Sequence, residues 1–138
     1  MNAGYPVSIT FPIAWGEQDA FGHLNNVAYL RYFENVRMHL LDRVGILRSH
    51  RDHQIGVILA STTCNFLRPV HWPQQLTVST ACEHIGRTSF RLTYSITNEA
   101  GEECATGISV LVMYDYAAAH KVEVPATIRE ALAFTMLR

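Results

Sequence analysis

Asp19 and His23 stand four residues apart in the stretch Asp19-Ala20-Phe21-Gly22-His23-Leu24-Asn25-Asn26, just ahead of the one long helical pattern in the chain. Asn25 or Asn26 suits the N-cap, because a short amide side chain accepts a bond from an orphan backbone N–H. A helix starting there turns free N–H groups and a partial positive charge towards Asp19. A carbonyl held at that point would be polarised as in an oxyanion hole, with a carboxylate beside it to attack or to activate water. An aspartate shortly before a helix also commonly serves as a turn or capping residue. The residues alone therefore leave Asp19 with two roles.

Other chemistries find less support. The chain has no Gly-x-Ser-x-Gly elbow, no phosphate loop and no dinucleotide fingerprint. Cys64 is flanked by strand residues and reads as packing rather than as a nucleophile. His50 and His53 are three apart but lack a third ligand at recognisable spacing, so they read as solvated loop residues. Neither a metal nor a cofactor is expected.

The elements that must position Asp19 follow from periodicity. After Asn26, apolar residues recur at Val27, Leu30, Phe33, Leu40, Leu41 and Val44, with Val36 and Met38 beside that line, close to helical period. Gly45 stops the helix, and Arg43 sits near the negative end of its dipole. About 18 residues make a rod of roughly 27 Å. Before it, Val7 to Ala14 alternates as a strand, with Pro12 marking an edge or a bend. Ile46 to Gln54 is expected to be a polar connector. Four strands are then predicted at Gly56–Arg68, Leu76–Ile85, Thr88–Thr97 and Cys104–Tyr114. The third alternates most cleanly, with Phe90, Leu92, Tyr94 and Ile96 on one face. A short helix, Ala126 to Met136, follows Pro125. One strand, a long helix, four strands and a closing helix make an α+β protein with an antiparallel sheet.

Bulk properties narrow the function classes. The 138 residues are expected to form a single domain, 1–138, able to bury about two-thirds of its unfolded surface. A formal charge of −1 without basic runs argues against nucleic acid or an anionic membrane as partner. Apolar runs fall short of the ~20 residues that span a bilayer, and the N-terminus does not resemble a signal peptide. Cys64, Cys82 and Cys104 are odd in number and read as reduced thiols, so a cytoplasmic location is expected.

The run Asp19, Gly22, His23, Asn25, Asn26, Tyr29, Tyr32, Phe33, Glu34 and Arg37 resembles the signature of the hotdog-fold acyl-CoA thioesterases, the 4-hydroxybenzoyl-CoA thioesterase-like superfamily. The order of elements is similar along nearly the whole chain. The resemblance implies an antiparallel sheet of about five strands wrapped around one long helix, and pairing into a homodimer or homotetramer with a ligand tunnel between subunits. It also implies hydrolysis of an acyl-CoA thioester to free acid and coenzyme A. Asp19 would be nucleophile or general base, and the backbone N–H of Asn26 the oxyanion donor. His23 is carried over with them, although His23 and Asn25 fit a loop-fixing role better than proton transfer. Gly22, Asn25 and Tyr29 fall on the substrate side, where core packing is the alternative for Tyr29 and Tyr32. The thiolate leaving group, with a conjugate pKa near about 8.5 by analogy with cysteine, hardly needs a general acid. Arg87, Thr88 and Ser89 resemble the place where related enzymes hold the nucleotide, and Arg68 is a second cation for the phosphates. Two alternatives remain. An enoyl-thioester hydratase would use an Asp–His pair, although its signature places that pair differently. A non-catalytic acyl-thioester binding or scaffold subunit would keep the helix without a reactive acid. The acyl group and the carrier, coenzyme A or acyl carrier protein, are left open.

Overall fold

The computed structural model describes residues 4–138. Five antiparallel strands form one curled sheet: β1 (Val7–Pro12), β2 (Ile55–Phe66), β3 (Gln75–Ile85), β4 (Ser89–Thr97) and β5 (Glu103–Asp115). Their spatial order is β1-β3-β4-β5-β2, and a two-residue β6 (His120–Lys121) pairs with β5. Between β1 and β2 lie α1 (Asn26–Arg43) and α2 (Ile46–His53); α3 (Ala126–Ala133) closes the described chain. The sheet wraps α1, as the resemblance implies.

Alternation decides which face of each strand meets α1. Phe90, Leu92, Tyr94 and Ile96 all point into the core and are essentially inaccessible to solvent. On the outer face Arg91 pairs with Glu83 across β3 and β4 at 3.1 Å. Phe33 of α1 stacks on Tyr94, with ring centroids 4.4 Å apart and planes 16° from parallel. Only glycine fits beneath that stack on β5. A Cβ at Gly107 would collide with the Phe33 ring and stand 2.6 Å from the Thr63 carbonyl oxygen.

The buried stripe of α1 differs from the one the periodicity marked. Phe33, Val36, Leu40 and Leu41 are buried as expected, but Val27, Leu30 and Met38 are exposed. Ala28, Tyr29, Tyr32 and Arg37 take their place. The sheet is concave on one side of the helix only, so one arc of α1 is covered and the residues about 100° away are not. Arg37 is nearly inaccessible at 6 % because Nη1 donates to the Tyr94 hydroxyl at 3.2 Å and Nη2 lies 3.8 Å from Glu34.

Three boundaries also shift. The expected polar connector at 46–54 is the helix α2. Gly45, at φ 89°, ends α1 and caps α2, and Ile46 anchors the new helix in the core. His50 and His53 therefore lie on a helix, exposed, with His50 edge-on to Tyr116. The first strand stops at Pro12, and the last helix stops at Ala133 rather than Met136, which makes a bridge to Cys82. All three cysteines are free; Cys82 and Cys104 are buried and Cys64 is half-buried. No helix among the described residues is long and apolar enough to cross a membrane.

Candidate active site

The loop ahead of α1 is built from its own polar atoms. Trp15–Glu17 forms a single 3-10 turn, and Glu17 works at both ends of it. Its Oε1 accepts the Ala14 N–H at 2.9 Å and the Tyr32 hydroxyl at 2.8 Å, while its carbonyl accepts the Asn25 N–H at 2.9 Å. The loop is thereby tied to the second turn of α1. Burial, and then Glu17 itself, push the Tyr32 phenol well above its ordinary pKa, so this donor keeps its proton. A bond from Leu24 N–H to the Val70 carbonyl at 2.8 Å straps the loop to the segment after β2.

Asp19 is held by one of its two oxygens. Oδ1 accepts the backbone N–H groups of Phe21 at 2.9 Å and His23 at 3.2 Å. The Asp19 N–H donates to the His23 carbonyl at 2.8 Å, and Gly22, at φ 80°, closes the tight turn between them. Oδ2 accepts no bond among the described residues. The turn contacts thus fall on one oxygen of the carboxylate and leave the other unbonded among the described residues.

The start of α1 presents a donor to the same space. Asn25 is the N-cap: its Oδ1 accepts the Val27 N–H at 3.1 Å, and its carbonyl accepts the Ala28 N–H at 2.9 Å. The Asn26 N–H, at the first helical position, has no intrahelical acceptor. Asp19, His23, Asn26, Tyr29 and Arg68 line one cavity of about 280 Å³, with Phe66 as part of its wall. Tyr29 packs edge-on to Phe66, with centroids 4.9 Å apart, and burial pushes its phenol up to about 12. Arg68 reaches the cavity while pairing with Glu102 at 3.4 Å. A second cavity of about 270 Å³ shares Asn26 and Phe66 and is otherwise lined by Val27, Leu30, Thr62 and Cys64. Burial pushes the Cys64 thiol up to about 11, which keeps it protonated and a poor nucleophile.

Asp19, His23, Asn26, Tyr29 and Arg68 therefore come together, with Gly22 and Asn25 shaping the turn and the cap. Arg87, Thr88 and Ser89 do not join them within the chain. Their hairpin is closed by Gly86 N–H to Ser89 O at 2.7 Å, and Arg87 pairs with Glu123 at 3.4 Å. Through β5, Ser89 lies in register with Ile58, eight residues along β2 from Phe66, or roughly 26 Å at ~3.3 Å per residue. Three contributors escaped the sequence reading: Glu17, Phe66 and His71. The last packs edge-on to His23, with centroids 4.9 Å apart. A glutamate three residues after Ala14 has capping-box spacing, the local signal that could have marked Glu17, but nothing local marks Phe66 or His71.

Comparison with known proteins places the chain in a family. The family model described as the thioesterase-like superfamily matches residues 13–132. The uncharacterized protein YsmA of Bacillus subtilis is 33% identical over 100 residues, covering 72% of this chain and 67% of that protein. The L-carnitine dehydrogenase/betainyl-CoA thioesterase of Agrobacterium fabrum is 28% identical across 96% of this chain, which spans only 28% of that longer protein. A thioesterase from Thermus thermophilus, solved in complex with coenzyme A and zinc, superposes with a TM-score of 0.83 at 27% identity. That match covers 94% of this chain and 98% of the other.

Proposed function

This chain belongs to the thioesterase-like superfamily, and from that premise we propose that it hydrolyses an acyl-CoA thioester to the free acid and coenzyme A. The observation that carries the reading is the pairing of an unbonded Asp19 Oδ2 with the unpartnered Asn26 N–H on one cavity. The thioester carbonyl oxygen would accept the Asn26 N–H, where the helix dipole favours the charge that develops on it. Asp19 Oδ2 would either add to the carbonyl carbon or take a proton from a water that adds to it. Collapse of the tetrahedral oxyanion breaks the C–S bond and expels coenzyme A thiolate, which takes up a proton from water. In the first route, a second water hydrolyses the acyl-aspartate anhydride. Phe66 would divide the carbonyl site from the apolar space beyond it, which suits the acyl chain.

The assembly would be at least a dimer, acting in the cytoplasm. β2 is a twelve-residue edge strand carrying exposed Ile58, Leu59 and Phe66, and such an edge recruits another strand unless it is covered. Two-fold antiparallel pairing of β2 with a second copy would bring that copy's β3–β4 hairpin towards the Asp19 cavity, giving Arg87 a route to the nucleotide. Light scattering at micromolar concentration should return a mass of at least twice the 15.6 kDa chain; a monomer would remove this part.

A thiol-release assay with purified protein across acyl-CoAs of increasing chain length and aryl-CoAs tests the reaction. Saturable release from at least one of them is expected. An enoyl-CoA hydrated without release, or binding without release, would replace hydrolysis with another chemistry. A single turnover in ¹⁸O-water then separates the routes. Label in Asp19 marks nucleophilic attack; label in the acid alone fits general-base catalysis or an anhydride opened at its acyl carbon, and hydroxylamine trapping of acyl-Asp19 separates these two.

A further inference from the structure

A cavity larger than the Asp19 one opens at the other end of α1. It measures about 520 Å³ and lies where α1 ends, α2 turns back and α3 begins. Its floor is apolar, with Val44 and Ile128 buried. Its rim carries Arg43, Arg48 and His53. Asp52 is the one carboxylate lining the cavity among the described residues, and Arg51 already holds it at 2.9 Å and 3.4 Å. Arg43 is steadied by donating Nη1 to the Pro6 carbonyl at 3.0 Å. Arg48 makes no hydrogen bond or ion pair among the described residues.

We infer that this cavity binds a phosphate-bearing small molecule of nucleotide size, at a site separate from the Asp19 cavity. The volume falls within the roughly 300–1,000 Å³ of small-molecule sites, which pair apolar walls with a few placed polar groups. Two guanidinium groups offer forked, charge-assisted donors, the arrangement that suits phosphate oxygens, and the one lining carboxylate, Asp52, is paired with Arg51. The apolar floor gives a base or similar planar group a surface to cover. Eighteen residues of α1 keep this site roughly 27 Å from the helix start, so a ligand here leaves the Asp19 cavity of the same chain open.

Titration calorimetry of the full chain with ADP, inorganic pyrophosphate and adenosine tests this. In the Arg87→Ala background, which removes the nucleotide contact proposed for the Asp19 cavity, ADP should saturate one site per chain, with adenosine weaker by at least about tenfold, since charge-assisted contacts carry the affinity. Pyrophosphate binding as tightly as ADP would assign recognition to the phosphates alone, and weaker pyrophosphate binding would add the apolar floor; both uphold the site. Arg48 is exposed, so Arg48→Ala keeps the core, and it should weaken ADP at least about tenfold. Arg87→Ala alone should keep saturable ADP binding at this cavity. Absence of saturable binding of both ADP and pyrophosphate, unchanged ADP affinity in Arg48→Ala, or its loss in Arg87→Ala would each overturn the inference.

Discussion

The two ends of α1 make opposite use of the same helix. At its start, the cavity is small, about 280 Å³, and the loop that forms it is wired: the side chains of Glu17, Asp19 and Asn25 together accept five N–H or O–H bonds from the loop and the first two turns. At its end, the cavity is nearly twice as large, but its cations are long side chains at the surface and only Arg43 is tied to the backbone. Chemistry needs donors and acceptors fixed before the substrate arrives, because groups that must reorganise lose what they gain in the transition state. Binding a soluble anion tolerates mobile arginines. The smaller cavity is therefore the candidate for catalysis and the larger for recognition.

Substitutions at the two ends should separate these roles, most sharply at Asp19. Asparagine keeps an Oδ1 for the Phe21 and His23 N–H groups but removes the charge from the other position. Asp19→Asn should lower kcat by at least about 10² with little change in KM or melting temperature. Arg48→Ala should leave turnover within about twofold. If Asp19→Asn hydrolyses its best acyl-CoA within a few-fold of wild type, Asp19 is a turn residue only.

Leu40, in the last turns of α1, is fully buried and far from the start of the helix. Leu40→Ala should cost about 2–5 kcal/mol by leaving a cavity. Urea titration would read the loss, while kcat per folded molecule stays near wild type. A fall in kcat at full folding would couple the two ends and break the contrast.

Arg87→Ala should raise KM for acyl-CoA by about tenfold and leave the same acyl group on pantetheine unaffected, because phosphate contacts are lost only in the first case. Equal changes for both would show that the hairpin does not read the nucleotide. The smallest expected effect is at the loop's tie to the helix. Tyr32→Phe removes the hydroxyl bond to Glu17 and keeps the ring, which should cost about 0.5–1.5 kcal/mol and reduce kcat several-fold. Stability lost with kcat intact would mean that this tie does not position Asp19.

Local spacing was enough for much of this protein. Asp19, Gly22, Asn25 and Asn26 lie within eight residues, and an Asx-type turn followed by an N-cap depends on neighbours along the chain. The alternation of β4 likewise states its own inward face. What local pattern left undecided is the partner of each face. α1 carries more apolar residues than one sheet can cover, so burial of Tyr29 and Arg37 and exposure of Val27 and Leu30 depend on where the concave side falls. α2 escaped notice because its residues after Leu47 are polar, and it is held by the packing of Ile46 rather than by an apolar stripe. Arg68 and Phe66 share a cavity with Asp19, while Arg87 lies at the far end of the strands, because strand register sets which distant residues meet. Short-range hydrogen bonds and period are written in neighbouring residues; the meeting of distant ones is settled only when the sheet closes over the helix.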